Sequence, residues 1–163
     1  MTRINLVRVE DLADQHLFAE WREIKMIPVK VRKIHNTKTL GEIIGIFENL
    51  PEEYTMSTGH VRFFYDKMFF LHQRYLALTK ELHKREFKIA QTSAFEIFLS
   101  GMPELARGHY SPSKQEILIN IGRISERLHQ RPNWYRYYGE ITPPDFFIDK
   151  YNQQLLFDTI AVP

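Results

Sequence analysis

The first candidates for chemistry are the N-terminus and an acidic residue of the first predicted helix. Thr2 is small, so removal of Met1 would leave a threonine with a free α-amine. The pKa of such an amine is about 7.7–8.0, against about 10.4 for lysine, so a far larger fraction is nucleophilic at neutral pH. Arg3, Arg22 and the carboxylate of Glu23 complete an amine-plus-acid pair if the chain folds back on itself. A chain end is a general feature of proteins and is not specific to catalysis, so an unreactive N-terminus remains the alternative.

The second candidate is a run of aromatic and cationic residues near the end of the third predicted helix. The run is Trp134-Tyr135-Arg136-Tyr137-Tyr138, with Arg131 before it. Arg123 and Arg127 stand at i and i+4 on the preceding helix and therefore share a face. Aromatic rings stack on bases and guanidiniums bind phosphates, so this combination suits nucleic acid. A buried aromatic cluster packed against the helices is an equally simple interpretation.

The composition excludes several kinds of site. Without cysteine there is no disulfide, no thiolate zinc site and no cysteine nucleophile. The seven histidines lack the spacing of a helical zinc site, and no acidic cluster resembles a calcium loop. The chain also lacks a glycine-rich phosphate loop and a nucleophile-elbow serine motif. Familiar metal and nucleotide enzymes are therefore poor candidates.

The formal charge is distributed unevenly along the chain. The 163 residues carry a net charge of +2, yet residues 60–139 carry +6, residues 1–59 carry −1 and residues 140–163 carry −3. A basic middle and an acidic tail indicate a nucleic-acid partner, although an ordinary solvated surface would look the same. The length fits one domain, no apolar run approaches a membrane span, and no apolar signal follows Met1. We expect a soluble, cytoplasmic protein that does not enter a membrane.

Helical periodicity supplies the elements that must hold these residues. The spacing predicts a first helix over residues 9–24. One face of this helix carries residues at steps of four, three and four, namely Leu12, His16, Ala19 and Glu23. A carboxylate at the end of a partly apolar stripe marks Glu23 as a candidate functional group. We expect Pro28 to close this region, and residues 28–54 to form connecting structure with a short helix over residues 39–50.

Two further main helices are predicted downstream. Apolar residues at steps of three and four predict a second helix over residues 61–82, and a short helix is expected over residues 93–98. Ser113 and Glu116 have capping-box spacing at the start of a third helix. The buried stripe of that helix consists of Ile117, Ile121, Ile124 and Leu128. No segment argues firmly for a sheet, so the sequence predicts an all-α fold, a single compact domain of three main helices with long connecting loops.

Five blocks of residues follow one another along the chain. They are MTRINL at residues 1–6, ADQHL with AEWRE at 13–17 and 19–23, VRK at 31–33, GHVRFFYDK at 59–67, and QRPNWYRYYG at 130–139. Together they resemble the pyrimidine-dimer DNA glycosylases, the family of the phage-type dimer-specific endonuclease V. One block would be weak support, but five in family order are specific.

The resemblance implies a single all-helical domain that binds double-stranded DNA containing ultraviolet damage. It implies removal of one base of a cyclobutane pyrimidine dimer, without a metal or an organic cofactor. The α-amine of Thr2 would attack C1′ of the damaged nucleotide and form an imine, with Glu23 as the catalytic carboxylate. β-Elimination would then cut the strand 3′ to the abasic sugar, so the glycosylase and AP lyase steps share one site. We expect a monomer.

The resemblance, with the aromatic run described above, also implies a set of DNA-binding residues. These are Arg3, Gln15, His16, Arg22, Lys33, Arg123, Arg127, Arg131, Trp134, Tyr135, Tyr137 and Tyr138. Two alternatives stay open. One is the same chemistry on another base lesion, and the other is a non-catalytic helical protein that binds DNA through its arginines and aromatic run.

The sequence departs from the family pattern at several places. Met26 stands where a basic DNA-contacting residue is expected, the connector over residues 38–58 differs, and Glu86 replaces a glycine common after the second helix. We divide the chain into a glycosylase-like helical domain, residues 1–139, and a C-terminal extension of unknown role, residues 140–163. The apolar residues of the extension suggest that it docks on the domain or on a partner.

Overall fold

The structure is a computed structural model that describes residues 3–157. Its helices are α1 (Asp14–Glu23), α2 (Met26–Thr37), α3 (Leu40–Glu48), α4 (His60–Phe63), α5 (Met68–Lys84), α6 (Ala94–Phe98), α7 (Lys114–Gln130) and α8 (Pro144–Phe157). Two 3-10 turns cover Val9–Asp11 and Glu104–Ala106. Strands β1 (Arg136–Tyr137) and β2 (Glu140–Ile141) form a small antiparallel hairpin between α7 and α8. The predicted all-α class is confirmed, and within residues 3–157 no helix is both long and apolar enough to cross a membrane.

The first predicted helix is divided in two. Val9–Asp11 form a 3-10 turn, and α1 begins only at Asp14. Arg85 donates to the carbonyl oxygens of Glu10 and Leu12 at 2.9 and 2.7 Å. Because these carbonyls accept hydrogen bonds from the Arg85 side chain, they do not act as acceptors within a continuous helix.

The expectation that Pro28 closes the first region was wrong. Pro28 lies in the first turn of α2, where its missing N–H would have had no acceptor within the helix. The short helix expected over residues 39–50 is confirmed as α3. It opens with a capping box in which Thr39 and Glu42 bind each other's backbone N–H.

The second predicted helix is interrupted by a turn. Helix α4 ends at Phe63, and α5 begins at Met68. At the break, Gly108 donates its N–H to the Asp66 carbonyl at 2.9 Å and accepts from the Phe69 N–H at 3.1 Å. A Cβ at residue 108 would collide with that carbonyl, so glycine permits the close approach.

The third predicted helix is confirmed with its start. Ser113 caps α7, and its capping box with Glu116 is complete. The predicted core positions are all buried, namely Ile117, Ile121, Ile124 and Leu128. The short helix expected over residues 93–98 is also confirmed, as α6.

Helix α1 is fixed by its apolar face against α5. The Trp21 ring stacks on Tyr75, with ring centroids 6.1 Å apart, and its indole N–H donates to the Thr79 hydroxyl at 3.0 Å. Leu17, on the same side of α1, is fully buried. The opposite face of α1 is therefore free to line a pocket.

Helix α8, in the predicted extension, packs on α7 and on the first 3-10 turn. Phe147 and Tyr151 are fully buried and belong to the common hydrophobic core. Gln154 is buried as well, and its side-chain oxygen accepts the Arg8 N–H at 2.8 Å. The described part of the extension therefore docks on the helical domain and reaches its N-terminal segment.

Candidate active site

A concave pocket of about 320 Å³ opens between α1 and α7. It is lined by His16, Ala19, Glu20 and Glu23 from α1, by Arg123, Ile124 and Arg127 from α7, and by Arg3, Asn5, Met56 and Tyr135. Positions 16, 19 and 23 thus share one face of α1, as the helical spacing predicts. The pocket brings together six of the predicted site residues, namely Arg3, His16, Glu23, Arg123, Arg127 and Tyr135.

The two carboxylates of the pocket have different surroundings. Glu20 is 2% exposed, and its oxygens accept from the Arg74 guanidinium at 2.8 and 3.1 Å and from the backbone and side chain of Asn5. Glu23 keeps 25% of its side chain exposed and lies 3.6 Å from the Arg22 guanidinium. A bidentate arginine fixes Glu20 as part of the scaffold. Glu23 is the carboxylate that a ligand in the pocket can reach.

Guanidiniums from two distant parts of the sequence form the basic wall of the pocket. Arg3 comes from the N-terminal segment, and Arg123 and Arg127 come from α7. Burial and then repulsion from Arg123 and Arg127 lower the pKa of Arg3. Holding like charges this close is unfavourable for the folded chain and favourable for an anionic ligand, whose phosphates would relieve the repulsion.

His16 is a neutral imidazole on the α1 side of the pocket. Burial, followed by the charges of Arg127 and Arg3, lowers its pKa to about 4. Its ring lies against Tyr135, with centroids 4.7 Å apart, and among residues 3–157 its buried Nδ1 atom has no hydrogen-bond partner. The imidazole of His16 is therefore neutral at pH 7.

The N-terminal segment, residues 4–8, runs beside the pocket and is held by side chains. Asn120 on α7 accepts the N–H groups of Leu6 at 2.7 Å and Val7 at 3.2 Å and donates to the Asn5 side chain at 3.0 Å. Arg74 donates to the Val7 carbonyl at 2.7 Å. Thr2, the predicted nucleophile, lies outside the described residues.

Side chains around Ile4 complete this support. His60 accepts the Ile4 N–H through Nε2 at 2.8 Å, and the Tyr54 hydroxyl donates to the Ile4 carbonyl at 2.9 Å. Chain ends are poorly ordered unless they are tied down, so these contacts define the path of the chain next to Arg3.

The first half of the aromatic run borders the pocket. Tyr135 is 6% exposed, whereas Trp134 is 48% exposed, with the Arg131 guanidinium 5.3 Å from its ring centre. Gln15 donates to the Trp134 carbonyl at 2.8 Å and accepts the Arg136 N–H at 3.0 Å. The amide of Gln15 thereby holds the run against the start of α1.

The second half of the run covers a buried ion network. Arg85, with no exposed side-chain surface, binds Asp14 at 2.9 Å and Glu81 at 2.8 Å. Glu81 also accepts the Tyr138 hydroxyl at 2.9 Å, and the Tyr137 ring lies 4.8 Å from the Arg85 guanidinium. Both interpretations of the run thus have a place: its first half is at the pocket, and its second half closes the core.

Seven of the predicted DNA-binding residues do not line the pocket, and two of these, Arg22 and Lys33, also have no contact with the aromatic run described above. Arg22 has 65% of its side chain exposed and stands beside Glu23 at the rim. Lys33 is exposed on α2 and does not line the pocket.

Sequence reasoning missed the polar residues that support the site. They are Asn5, Glu20, Asn120, His60 and Arg74. Asn120, fully buried among the isoleucines of α7, carried the clearest signal, because an amide in an apolar stripe must have a partner. No pattern identified that partner, since it lies more than a hundred residues away.

A mainly helical fold that gathers a carboxylate and several arginines in one concave pocket is suited to bind an anionic substrate and act on it. Residues 1–94 match the family model described as pyrimidine dimer DNA glycosylase. The chain belongs to this family, whose members are DNA repair enzymes acting on pyrimidine dimers, and the resemblance inferred from the sequence is confirmed. Among residues 3–157, no three His, Asp or Glu side chains are grouped so that they could hold a metal ion.

Proposed function

We propose that this protein is a glycosylase with AP lyase activity at cyclobutane pyrimidine dimers in double-stranded, ultraviolet-damaged DNA, and that the α-amine of Thr2 is its nucleophile. The observation that carries the proposal is the shared pocket of Arg3 and Glu23. Thr2 directly precedes Arg3 in the sequence, and Arg3 lines the same pocket as the accessible carboxylate of Glu23. The side-chain contacts along residues 4–8 support the same geometry.

The first chemical step is base release. The neutral amine of Thr2 forms a bond to C1′ while the N-glycosidic bond breaks, and the departing base takes the bonding electrons. Positive charge develops on the sugar, where the carboxylate of Glu23 stabilises it. The amine gives up one proton to the departing base and one to the ring oxygen O4′ as the sugar ring opens, and the imine results.

The second step is strand cleavage. The imine withdraws electrons from C2′, so a base can remove a C2′ proton and the C3′–O bond breaks with phosphate leaving. Glu23 is the proposed base, because its carboxylate faces the pocket and Glu20 is occupied by Arg74. Hydrolysis of the imine then returns the amine.

DNA binding is assigned to the basic and aromatic side chains around the pocket. Arg3, Arg123 and Arg127 are suited to phosphates beside the lesion, and the exposed Trp134 ring to stacking on a base. Reaching C1′ requires distortion of the duplex, and a dimer lowers that cost because it pairs poorly. The other predicted DNA contacts are Gln15, Arg22, Lys33, Arg131, Tyr137 and Tyr138. The hydroxyls of Tyr137 and Tyr138 already donate hydrogen bonds to Glu10 and Glu81 within the protein.

The proposal includes the remaining expectations from the sequence. The protein acts as a monomer in the cytoplasm, without a cofactor. Residues 1–139 supply the glycosylase machinery, and residues 140–163 form an accessory extension whose helix α8 supports that machinery through Gln154.

Borohydride trapping tests the proposed chemistry. Protein whose Met1 removal has been verified by mass spectrometry is incubated with ultraviolet-irradiated duplex, undamaged duplex and duplex containing one abasic site. We expect a covalent adduct with the irradiated and abasic duplexes and none with undamaged DNA. Protein that retains Met1 is the matched control and should trap poorly, because its Thr2 nitrogen is an amide. Absence of any adduct from trimmed protein would refute the imine mechanism, and a panel of other base lesions would reveal a different substrate.

A further inference from the structure

The residues that follow the proposed nucleophile in the sequence are bound by side chains from distant parts of the chain. Residues 4–8 form neither helix nor strand. Their backbone is therefore not held by neighbouring backbone in a regular element, and side chains from distant parts of the sequence bind it instead. Among the described residues whose backbone is bound in this way, Ile4 is the nearest in sequence to Thr2.

His60 and Tyr54 bind the two polar backbone groups of Ile4. The Ile4 N–H donates to Nε2 of His60 at 2.8 Å, and the Ile4 carbonyl accepts from the Tyr54 hydroxyl at 2.9 Å. His60 is 2% exposed and Tyr54 is also 2% exposed. The Tyr54 and His60 rings meet edge to face, with centroids 5.4 Å apart, so each limits the movement of the other.

The hydrogen bonds of His60 determine which of its nitrogens carries the proton. Its Nδ1 atom faces the Thr55 carbonyl, so Nδ1–H is the donor and Nε2 keeps the lone pair that accepts the Ile4 N–H. A protonated imidazole could not accept this bond.

The surroundings of His60 favour the neutral form that the contact needs. Burial lowers the pKa of His60, the Thr55 carbonyl and Glu20 act in the opposite direction, and Arg3 adds to the lowering. The net shift is downward, so the imidazole is neutral at physiological pH. Glu20 does not reverse the balance, because it is paired with Arg74 at 2.8 Å.

We propose that His60 is a positioning residue for the reaction. Together with Tyr54 it fixes Ile4, and thereby aims the Thr2 amine at the pocket that contains Glu23. His60 does not line that pocket, so it would act through the chain and not by touching DNA. This inference rests on the proposed function, because it concerns the orientation of the proposed nucleophile.

The test compares variants in single-turnover trapping on a duplex with one abasic site, with protein in excess and the duplex saturated. His60→Leu removes the acceptor for the Ile4 N–H, whereas His60→Gln keeps an amide oxygen near the position of Nε2. Because misplacing a reacting group by about 1 Å costs on the order of 100-fold, we expect His60→Leu to slow trapping at least about 10-fold. The Kd for a duplex with an unreactive abasic-site analogue should stay unchanged, and His60→Gln should recover most of the rate.

Two further variants separate positioning from folding. Tyr54→Phe keeps the ring but removes the donor to the Ile4 carbonyl, and should slow trapping without a change in Kd even if His60→Leu fails to fold. Phe98→Leu, in the core against Tyr75, is a control that lowers thermal stability without altering the contacts of Ile4. Equal trapping rates in the wild type, His60→Leu and Tyr54→Phe would overturn the proposal. So would losses that follow thermal stability in all four variants, including His60→Gln and Phe98→Leu.

Hydrogen exchange gives a measurement that is independent of catalysis. A peptide covering residues 3–8 should lose protection in His60→Leu and keep it in His60→Gln. Unchanged protection in His60→Leu contradicts the positioning role whether or not the enzyme reacts. If the wild-type protein traps no adduct at all, the proposed function fails, and the exchange result still decides whether His60 holds the segment.

Discussion

The buried network beneath the hairpin and the pocket between α1 and α7 both contain arginines, but in opposite electrostatic surroundings. Arg85 is enclosed with Asp14 and Glu81, and both of its partners lie within 2.9 Å. Arg3, by contrast, faces Arg127 and Arg123, whose repulsion lowers its pKa together with burial. The first region neutralises its cation inside the protein, whereas the second places three arginines beside an opening, and of these Arg123 is paired with Glu126.

This difference separates charge that stabilises the fold from charge that is available to bind an anion. A buried ion pair is costly to break, because removing one partner leaves an uncompensated charge in a medium of low dielectric constant. A crowded group of cations has the opposite property, since removing one relieves repulsion and weakens only the binding of an anion. The same contrast holds for the carboxylates, with Glu20 bound to Arg74 and Glu23 facing the pocket.

The largest effect is expected from Glu23→Gln. Glutamine neither stabilises positive charge on the sugar nor accepts the C2′ proton, so base release should fall by at least about 100-fold. Binding of damaged duplex, measured by fluorescence anisotropy, should be retained. Glu20→Gln is the matched control and should mainly reduce stability, because it disturbs the pair with Arg74. Full glycosylase activity in Glu23→Gln would contradict the assigned role.

Arg85→Met should cause the largest loss of stability. It leaves Asp14 and Glu81 facing each other without a cation, and we expect the free energy of unfolding to drop by about 3–5 kcal/mol. Urea denaturation followed by circular dichroism measures this change. Arg131→Met, at an exposed position, should have little effect. Similar stability in the two variants would remove the distinction between the regions.

Acidification should destabilise the pocket through His16. The pKa of His16 is about 4 in the folded protein and about 6.5 when unfolded, so the unfolded chain binds more protons between these values. Stability is therefore complete above pH 6.5 and falls as the pH drops towards 4, by at most about 3 kcal/mol from this group. The urea midpoints of the wild type and of His16→Gln, measured between pH 7 and pH 4, test this prediction. This range spans the folded and unfolded pKa values of His16. The variant should show the shallower slope, with a residual dependence from His60, whose pKa burial also lowers.

Arg127→Ala should weaken DNA binding in a salt-dependent manner. Loss of one phosphate contact should reduce the slope of log K against log salt by about 0.9. Stability should be unchanged or slightly higher, because repulsion with Arg3 is relieved. Lys80→Ala, which removes an equal charge from α5 outside the pocket, is the control and should leave the slope unchanged. Equal slopes for both variants would mean that Arg127 makes no phosphate contact.

The smallest effect is expected from Glu86→Gly, beside Arg85. Glu86 has a φ of 62°. Its N–H donates to the His83 carbonyl, and the Phe87 N–H donates to the Leu82 carbonyl. Glycine is the usual residue in this arrangement at the end of a helix. Glycine avoids the Cβ clash of this conformation, so thermal unfolding should show a gain of about 0.5–1 kcal/mol. Glu86→Ala keeps the Cβ and should bring no such gain. A stability gain from alanine equal to that from glycine would point to removal of the charge as its cause.

Local signals predicted the elements well where the bonds concerned are local. The capping box of Ser113 and Glu116 spans three residues, and α7 begins where that pattern predicts. The errors fall where distant partners intervene. The first predicted helix is broken because Arg85, more than seventy residues away, donates to the carbonyls of Glu10 and Leu12. The second is broken before α5, where Gly108 forms backbone hydrogen bonds with Asp66 and Phe69.

The candidate site divides in the same way. The shared face of His16 and Glu23 followed from helical spacing, as did that of Arg123 and Arg127. Their meeting in one pocket did not, because no local pattern relates α1 to α7. The sequence also could not show that the two halves of the aromatic run have different surroundings. Tyr135 lines the pocket, whereas the hairpin turn brings Tyr138 to Glu81.

By itself, the sequence determined the chemical groups and the helical faces that carry them. It supplied a carboxylate, clustered arginines, aromatic residues and no thiol, and five ordered blocks that indicated the family. The tertiary structure decided which charges are neutralised and which face the pocket, and it bound residues 4–8 through side chains as far away as Gln154. The physical reason is range: periodicity and caps act within a few residues, whereas burial and ion pairing depend on which distant segments the common core brings together.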